Sequence, residues 1–224
     1  MSPHSSSGMS KYVLNAEDIA IVGGKAKRVF DISAAALAIL FIAPLLLGIA
    51  LLIVLIDGRP IFIRHDRIGR AGVPFPCFKF RTMVRNANEV LEKHIAINPE
   101  AAHEWQQMRK LKIDPRITSL GAVLRKSSVD ELPQLINILK GEMSFVGPRP
   151  IVGEEIERYG QFFSSYEKTR PGLTGPWQIS GRNDVSYRER VLLDHDYAEN
   201  WSFSKDFVIL LKTVPAVLRS RGSY

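Results

Sequence analysis

The chain has 224 residues, 46% hydrophobic and 24% charged, which excludes a disordered, collagen-like or fully membrane-embedded polypeptide and fits one globular domain with at most an appended membrane element. Thirty Lys and Arg against 23 Asp and Glu leave a net charge of +7, pointing to a polyanionic partner such as nucleic acid, anionic lipid or a phosphorylated substrate. A single cysteine, Cys77, excludes an intramolecular disulfide and a thiolate-rich zinc site, and fits a reducing compartment.

The Ser-rich start, with Pro3 and Gly8, makes residues 1–24 a flexible N-terminus. Residues 25–58 form the membrane element, because the run from Ile32 to Ile56 carries no charge and is long enough to cross a hydrocarbon core of about 30 Å. Pro44 interrupts that run, and cations flank both sides: Lys25, Lys27 and Arg28 before it, Arg59, Arg64, Arg67 and Arg70 after it. Positive flanks place both ends on the cytoplasmic side, so a re-entrant helix hairpin broken at Pro44 is favoured over a spanning helix.

Residues 59–224 form a separate cytoplasmic domain. Pro60 to Arg64 and Phe75 to Met83 alternate as short strands around a Gly69 to Gly72 loop, a β-hairpin with Cys77, Lys79 and Arg81 on one face. Arg85 to Lys112 reads as two helices separated at Pro99. A further helix starts between Ser128 and Pro133 and ends at Lys140, with Gly141 as its left-handed cap. From Ser204 to Arg221 apolar residues recur at helical spacing with cations off the stripe, which suits a helix lying at a membrane surface and bent at Pro215. The fold class is therefore α+β, a mostly helical monotopic membrane protein with a small β-hairpin beside surface helices.

Ser128-Val129-Asp130-Glu131 has the pattern of a capping box, in which Ser128 and Glu131 satisfy each other's backbone N–H groups. The same two carboxylates at the mouth of a helix would stay ionised, and an ionised aspartate is a competent nucleophile toward phosphorus. Around them Lys79, Arg81, Arg125, Lys126, Arg149, Arg170 and Arg182 fall in or beside turns, and rigid Gly-Pro-Arg-Pro and Arg-Pro-Gly turns suit guanidinium groups that grip phosphate. Asp194-His195-Asp196 cannot converge on one ion, because adjacent helical residues diverge. No phosphate-binding glycine loop of the nucleotide-hydrolase or dinucleotide type is present.

The strings KRVFD, KFRTM, DPRITSLGAVLRKSSVDELPQLINILKGEMSFVGPRP, RPGLTGPWQISGRNDVSYRER and SRGSY, in this order, resemble the bacterial sugar transferases, monotopic polyprenyl-phosphate phosphoglycosyl transferases. The resemblance runs from about Lys27 to Tyr224, and the C-terminal half is most similar to galactosyl-1-phosphate transferases that begin exopolysaccharide assembly. It implies transfer of hexose 1-phosphate from a UDP-sugar to undecaprenyl phosphate, with UMP released at the cytoplasmic face of the bacterial inner membrane. Glucose is the alternative sugar. Asp130 is the implied nucleophile, forming a covalent phosphosugar intermediate; Glu131, with Asp130, is the implied ligand of Mg²⁺. Lys79, Arg125, Arg149, Arg170 and Asp194 are the implied substrate-site residues. One departure is Ala43, where members often carry Ser before the proline of the membrane break. Membrane lipids are expected partners and a homodimer is left open. Nucleic acid is not expected, for want of a recognition helix or stacking array. A non-catalytic membrane adaptor is the rival from another class.

Overall fold

The computed structural model describes residues 21–108, 110–180 and 185–218, so Arg182, the string from 220 to 224 and most of the flexible N-terminus read from the sequence lie outside the described residues. Helix α1 (Gly24–Leu52) begins after Gly23 and is continued by a wider turn over Ile53–Asp57. It runs unbroken through Pro44, not as two helices joined by a break there. Proline forfeits one hydrogen bond, whereas opening the chain inside an apolar run would strand several backbone groups; the continuous helix is the cheaper solution.

One stripe of α1 meets the rest of the protein along its whole length. Ala35, with Ala38, Ile39 and Ile42, packs on Phe75, Cys77, Leu135, Ile138 and Met143; further on Leu46, Ile49 and Ile53 pack on Phe80 and Leu124. The spacing is that of one helix face. Leu37, Leu40, Phe41, Leu47, Leu51 and Leu55 remain exposed, an apolar surface larger than water-soluble helices present. Both ends are tied to the globular body. At the start, Lys27 forms a buried ion pair with Asp206, Arg28 donates to the carbonyls of Ile138 and Leu139, and Asp31 accepts from Ser144 Oγ and the Phe145 N–H. At the far end, Arg81 donates to the carbonyls of Asp57 and Gly58, and Thr118 Oγ1 donates to Asp57.

Strands β1 (Phe62–Ile68) and β2 (Pro74–Phe80) pair antiparallel, with Ile63 opposite Lys79 and Arg67 opposite Phe75. The pairing extends further into the turn than alternation alone suggests and stops at Phe80, which changes the fate of two side chains. Cys77 is buried in the core beneath α1, and Arg81, beyond the ladder's end, turns inward to lock α1; it does not share a surface with Lys79.

Helices α2 (Ala87–Ile97) and α3 (Pro99–Met108) form the pair expected around Pro99, closed on a small core of Leu91, Ala101 and Leu111. Helix α4 (Ser119–Lys126) is capped by Thr118 Oγ1, which accepts from the Gly121 N–H, and Gly121 lies so close to Thr82 that a Cβ would stand 2.1 Å from its carbonyl oxygen. After a single turn of 3₁₀ helix at Val129–Glu131, helix α5 (Gln134–Lys140) runs to Gly141, whose φ of 89° supplies the left-handed cap. Strand β3 (Ser144–Val146) pairs in parallel with β4 (Gly172–Thr174), a second two-stranded sheet not apparent in the sequence. Between them lie the short helices α6 (Ile156–Tyr159) and α7 (Phe163–Glu167); after them come α8 (Pro176–Ile179), α9 (Tyr187–Glu199) and α10 (Phe203–Leu218), the last running through Pro215. Its face with Phe203, Phe207, Leu211 and Val214 is exposed, beside the exposed flank of α1.

Candidate active site

The turn Val129–Glu131 sits at the floor of a cleft of about 620 Å³. The capping box expected there does not form. Ser128 adopts a left-handed conformation, φ 57°, and makes no side-chain cap, so α5 starts at Gln134 after Pro133 and Glu131 is free to reach elsewhere. Its Oε1 lies 2.6 Å from Lys79 Nζ on β2. A non-glycine residue held at positive φ is a conformation the surroundings must impose. Here it reverses the chain between α4 and α5 and turns both carboxylates into the cleft.

Asp130 is 8% exposed. Burial pushes its carboxyl up to about 6, with Glu131 adding to the rise and Lys79 and Arg125 opposing it. Glu131 goes the other way: burial would raise it, but the charge and hydrogen bond of Lys79, with Arg149 and Arg67, hold it below the usual carboxylate range. Two adjacent carboxyl groups thus have separated roles. Asp130 is ionised at neutral pH yet more basic than an ordinary aspartate, and Glu131 is firmly anionic.

Cations form the adjoining wall. Arg125, in the last turn of α4, is braced by its Nε donating to Thr82 Oγ1 at 2.8 Å. Alternate residues of β1 face the cleft, Ile63, His65 and Arg67, and Lys79, Lys110 and Arg149 complete the basic lining. His65 is pushed below its ordinary value by burial and by Arg67, Lys79 and Arg125. The rest of the lining is largely apolar: Phe145, Leu173, Trp177 and Ile179, with Leu210 and Val214 of α10. A polyanion with an attached chain of low polarity would find both halves of this cleft complementary.

Of the residues singled out by sequence, Asp130, Glu131, Lys79, Arg125 and Arg149 line this one cleft. Arg170 and Asp194 do not. Arg170 donates from Nε to the Gly141 carbonyl at 3.0 Å, bracing the end of α5. Asp194, 2% exposed, accepts from Tyr159 Oη at 2.7 Å, and burial pushes its carboxyl up to about 7. His195 meets Ser165 Oγ while Asp196 faces Lys205, so the three neighbours diverge. Lys126 is exposed outside the cleft. Sequence reasoning passed over His65, Lys110 and Trp177 and took Arg67 for a membrane flank; period-two alternation from Ile63 would have put His65 and Arg67 on the face of Lys79.

Among the described residues no group of three or more His, Cys, Asp and Glu side chains comes together, so no all-protein metal cage is formed. Two adjacent carboxylates are nonetheless the protein share that Mg²⁺ usually takes when substrate phosphates and water fill its remaining positions.

Comparison with known proteins gives a family match, to a model described as bacterial sugar transferase, over residues 22–220. The chain is 56% identical over 203 residues to the exopolysaccharide production protein ExoY of Rhizobium meliloti, covering 91% of this chain and 90% of that protein. It is 49% identical over 198 residues to the undecaprenyl-phosphate galactose phosphotransferase of Salmonella typhimurium, covering 88% of this chain but 41% of that longer protein. It is 39% identical over 206 residues to the UDP-glucose:undecaprenyl-phosphate glucose-1-phosphate transferase of Caulobacter vibrioides, covering 88% of this chain and 72% of the relative.

Proposed function

Because the chain belongs to the bacterial sugar transferase family, we propose that it moves hexose 1-phosphate, most readily galactose 1-phosphate, from a UDP-sugar to undecaprenyl phosphate as the first step of exopolysaccharide synthesis. The observation that carries this reading is the Asp130–Glu131 turn in the lining of a cleft that also gathers the cations Arg67, Lys79, Arg125 and Arg149 and a set of apolar side chains.

Lys79, Arg67, Arg125 and Arg149 bind the diphosphate of the donor and offset its charge. The Asp130 carboxylate attacks the sugar-bearing phosphorus; an O–P bond forms, the bond to the bridging oxygen breaks, and UMP leaves with that electron pair. An oxygen of undecaprenyl phosphate then attacks the same phosphorus, giving the diphosphate-linked lipid and returning Asp130 to its carboxylate. Neither step needs a proton transfer, so the site asks of its residues only a nucleophile and charges that hold the phosphates. Glu131 and Asp130 would hold Mg²⁺, whose chemistry when bound is to neutralise charge on the phosphates. Glu131 keeps Lys79 in place beside the nucleophile.

Membrane placement follows from α1. Its exposed apolar faces call for a hydrocarbon environment, while both ends are held by one globular body, and this supports a helix that lies in the cytoplasmic leaflet of the inner membrane without crossing it. Helix α10 carries both an exposed apolar face and two apolar residues of the cleft lining, Leu210 and Val214, so a lipid substrate can approach the dyad from the bilayer side. Relatives are named for both galactose and glucose transfer, and the higher identity to the galactose enzyme favours galactose. The test is UMP release by protein in nanodiscs supplied with Mg²⁺, undecaprenyl phosphate and either UDP-galactose or UDP-glucose, with Asp130→Asn as control. Release with UDP-galactose that is lost in the control is expected; no release with any UDP-sugar from folded protein would favour a membrane adaptor.

A further inference from the structure

Trp177 lies in the wall of the cleft, 5% exposed, on the four-residue helix α8. Two guanidinium groups rest against its indole. Arg149, which lines the cleft and is itself exposed, has its guanidinium carbon 5.6 Å from the ring centroid; Arg190, on α9 and outside the cleft, has its own at 4.4 Å. The stem of Arg190 is fixed by Nε donating to the Val185 carbonyl at 3.2 Å. A near-buried indole that contacts both an anchored guanidinium and an exposed one works as a relay, since a cation held against the ring keeps it in one orientation and the ring offers the second cation a fixed platform. Arg149 follows the rigid Gly147-Pro148 turn, so its backbone is set as well, and only the end of its side chain depends on the platform.

We propose that Arg190 is a positioning residue for the donor: through the Trp177 indole it holds the Arg149 guanidinium where it grips the diphosphate of the UDP-sugar. This rests on the reading of the cleft as a UDP-sugar site. Arg149 prearranged in this way loses less freedom on binding phosphate, so removing Arg190 weakens donor binding and leaves the attack by Asp130 untouched.

The test is a double-substitution cycle on the full chain in nanodiscs, reading KM and kcat for the UDP-sugar and, separately, the Kd of UDP by calorimetry. Arg190→Gln is expected to raise KM and Kd about fivefold with kcat within about twofold, and Arg190→Lys, which keeps a cation over the ring, to stay near the wild type. In an Arg149→Gln background the same change should alter KM by less than about twofold, because the relay then ends on nothing. Unchanged KM in Arg190→Gln, a fall in kcat at unchanged KM, or effects that multiply in the double variant would overturn the proposal. Should Arg190→Gln misfold, Arg190→Met keeps the apolar stem, and misfolding of both marks Arg190 as purely structural. Wild-type protein that neither binds UDP nor releases UMP would sink the UDP-sugar reading itself, a result separate from an Arg190 variant that behaves as wild type.

Discussion

Replacing Asp130 by Asn should abolish turnover and at the same time stabilise the protein. Burial lifts the Asp130 carboxyl from its ordinary 3.8 to about 6. A group whose folded value is raised favours folding in its protonated form, a contribution fully present below pH 3.8 and lost as the pH climbs through 6. Above that the ionised carboxylate costs on the order of 3 kcal/mol. Asparagine has nearly the same shape and no charge, so at pH 7.5 the variant should unfold higher by up to about 3 kcal/mol, on the order of 6–12 °C for a chain of this length. Thermal unfolding of both proteins in nanodiscs from pH 4 to 8 measures this, and the gap should close toward pH 4. A variant no more stable than wild type at pH 7.5, or a gap independent of pH, would refute the claim that the buried carboxylate carries this burden.

Lys79 lowers both carboxyl groups of the dyad, so in Lys79→Met the acid limb of kcat/KM for the UDP-sugar, expected near pH 6 in the wild type, should move to higher pH by about one unit; an unmoved limb would assign it to another group. Lys27→Met strands a buried Asp206 that Tyr197 and Trp201 also contact, and should cost about 3–5 kcal/mol in chemical unfolding, with Lys27→Met/Asp206→Asn recovering most of it. Gly121→Ala drives a methyl into the Thr82 carbonyl, and should lower stability by more than about 2 kcal/mol and raise KM, because Arg125 is braced on the same Thr82.

Local chemistry made much of this architecture readable in the sequence. Pro99 separates α2 from α3, Gly141 ends α5, and Pro133 stands just before the first residue of α5, each a local backbone restriction that the packing at that point leaves in force. The alternation around Gly69–Gly72 marked the hairpin, although its register and end decided that Lys79 enters the cleft while Arg81 goes to the core. What stayed hidden depends on distant parts of the chain. Strands β3 and β4 are three residues each and rest on a close approach of distant backbone, where a Cβ on Gly172 would stand 2.2 Å from Gly147 N. Ser128 looks like a helix cap until its left-handed conformation releases Glu131 to Lys79. Continuity of α1 through Pro44 reflects its packing on both sides of the proline. Arg170 and Asp194 carry residue types suited to a phosphate site, yet their partners are a helix-end carbonyl and a buried tyrosine.

Intact-protein mass spectrometry reads directly whether Asp130 is the nucleophile. Protein in nanodiscs given UDP-galactose and Mg²⁺ without undecaprenyl phosphate should gain one hexose phosphate, mapped by peptide fragmentation to Asp130 and removed when undecaprenyl phosphate is added. UMP formed at full rate with no adduct on Asp130, or turnover surviving in Asp130→Asn, would contradict it.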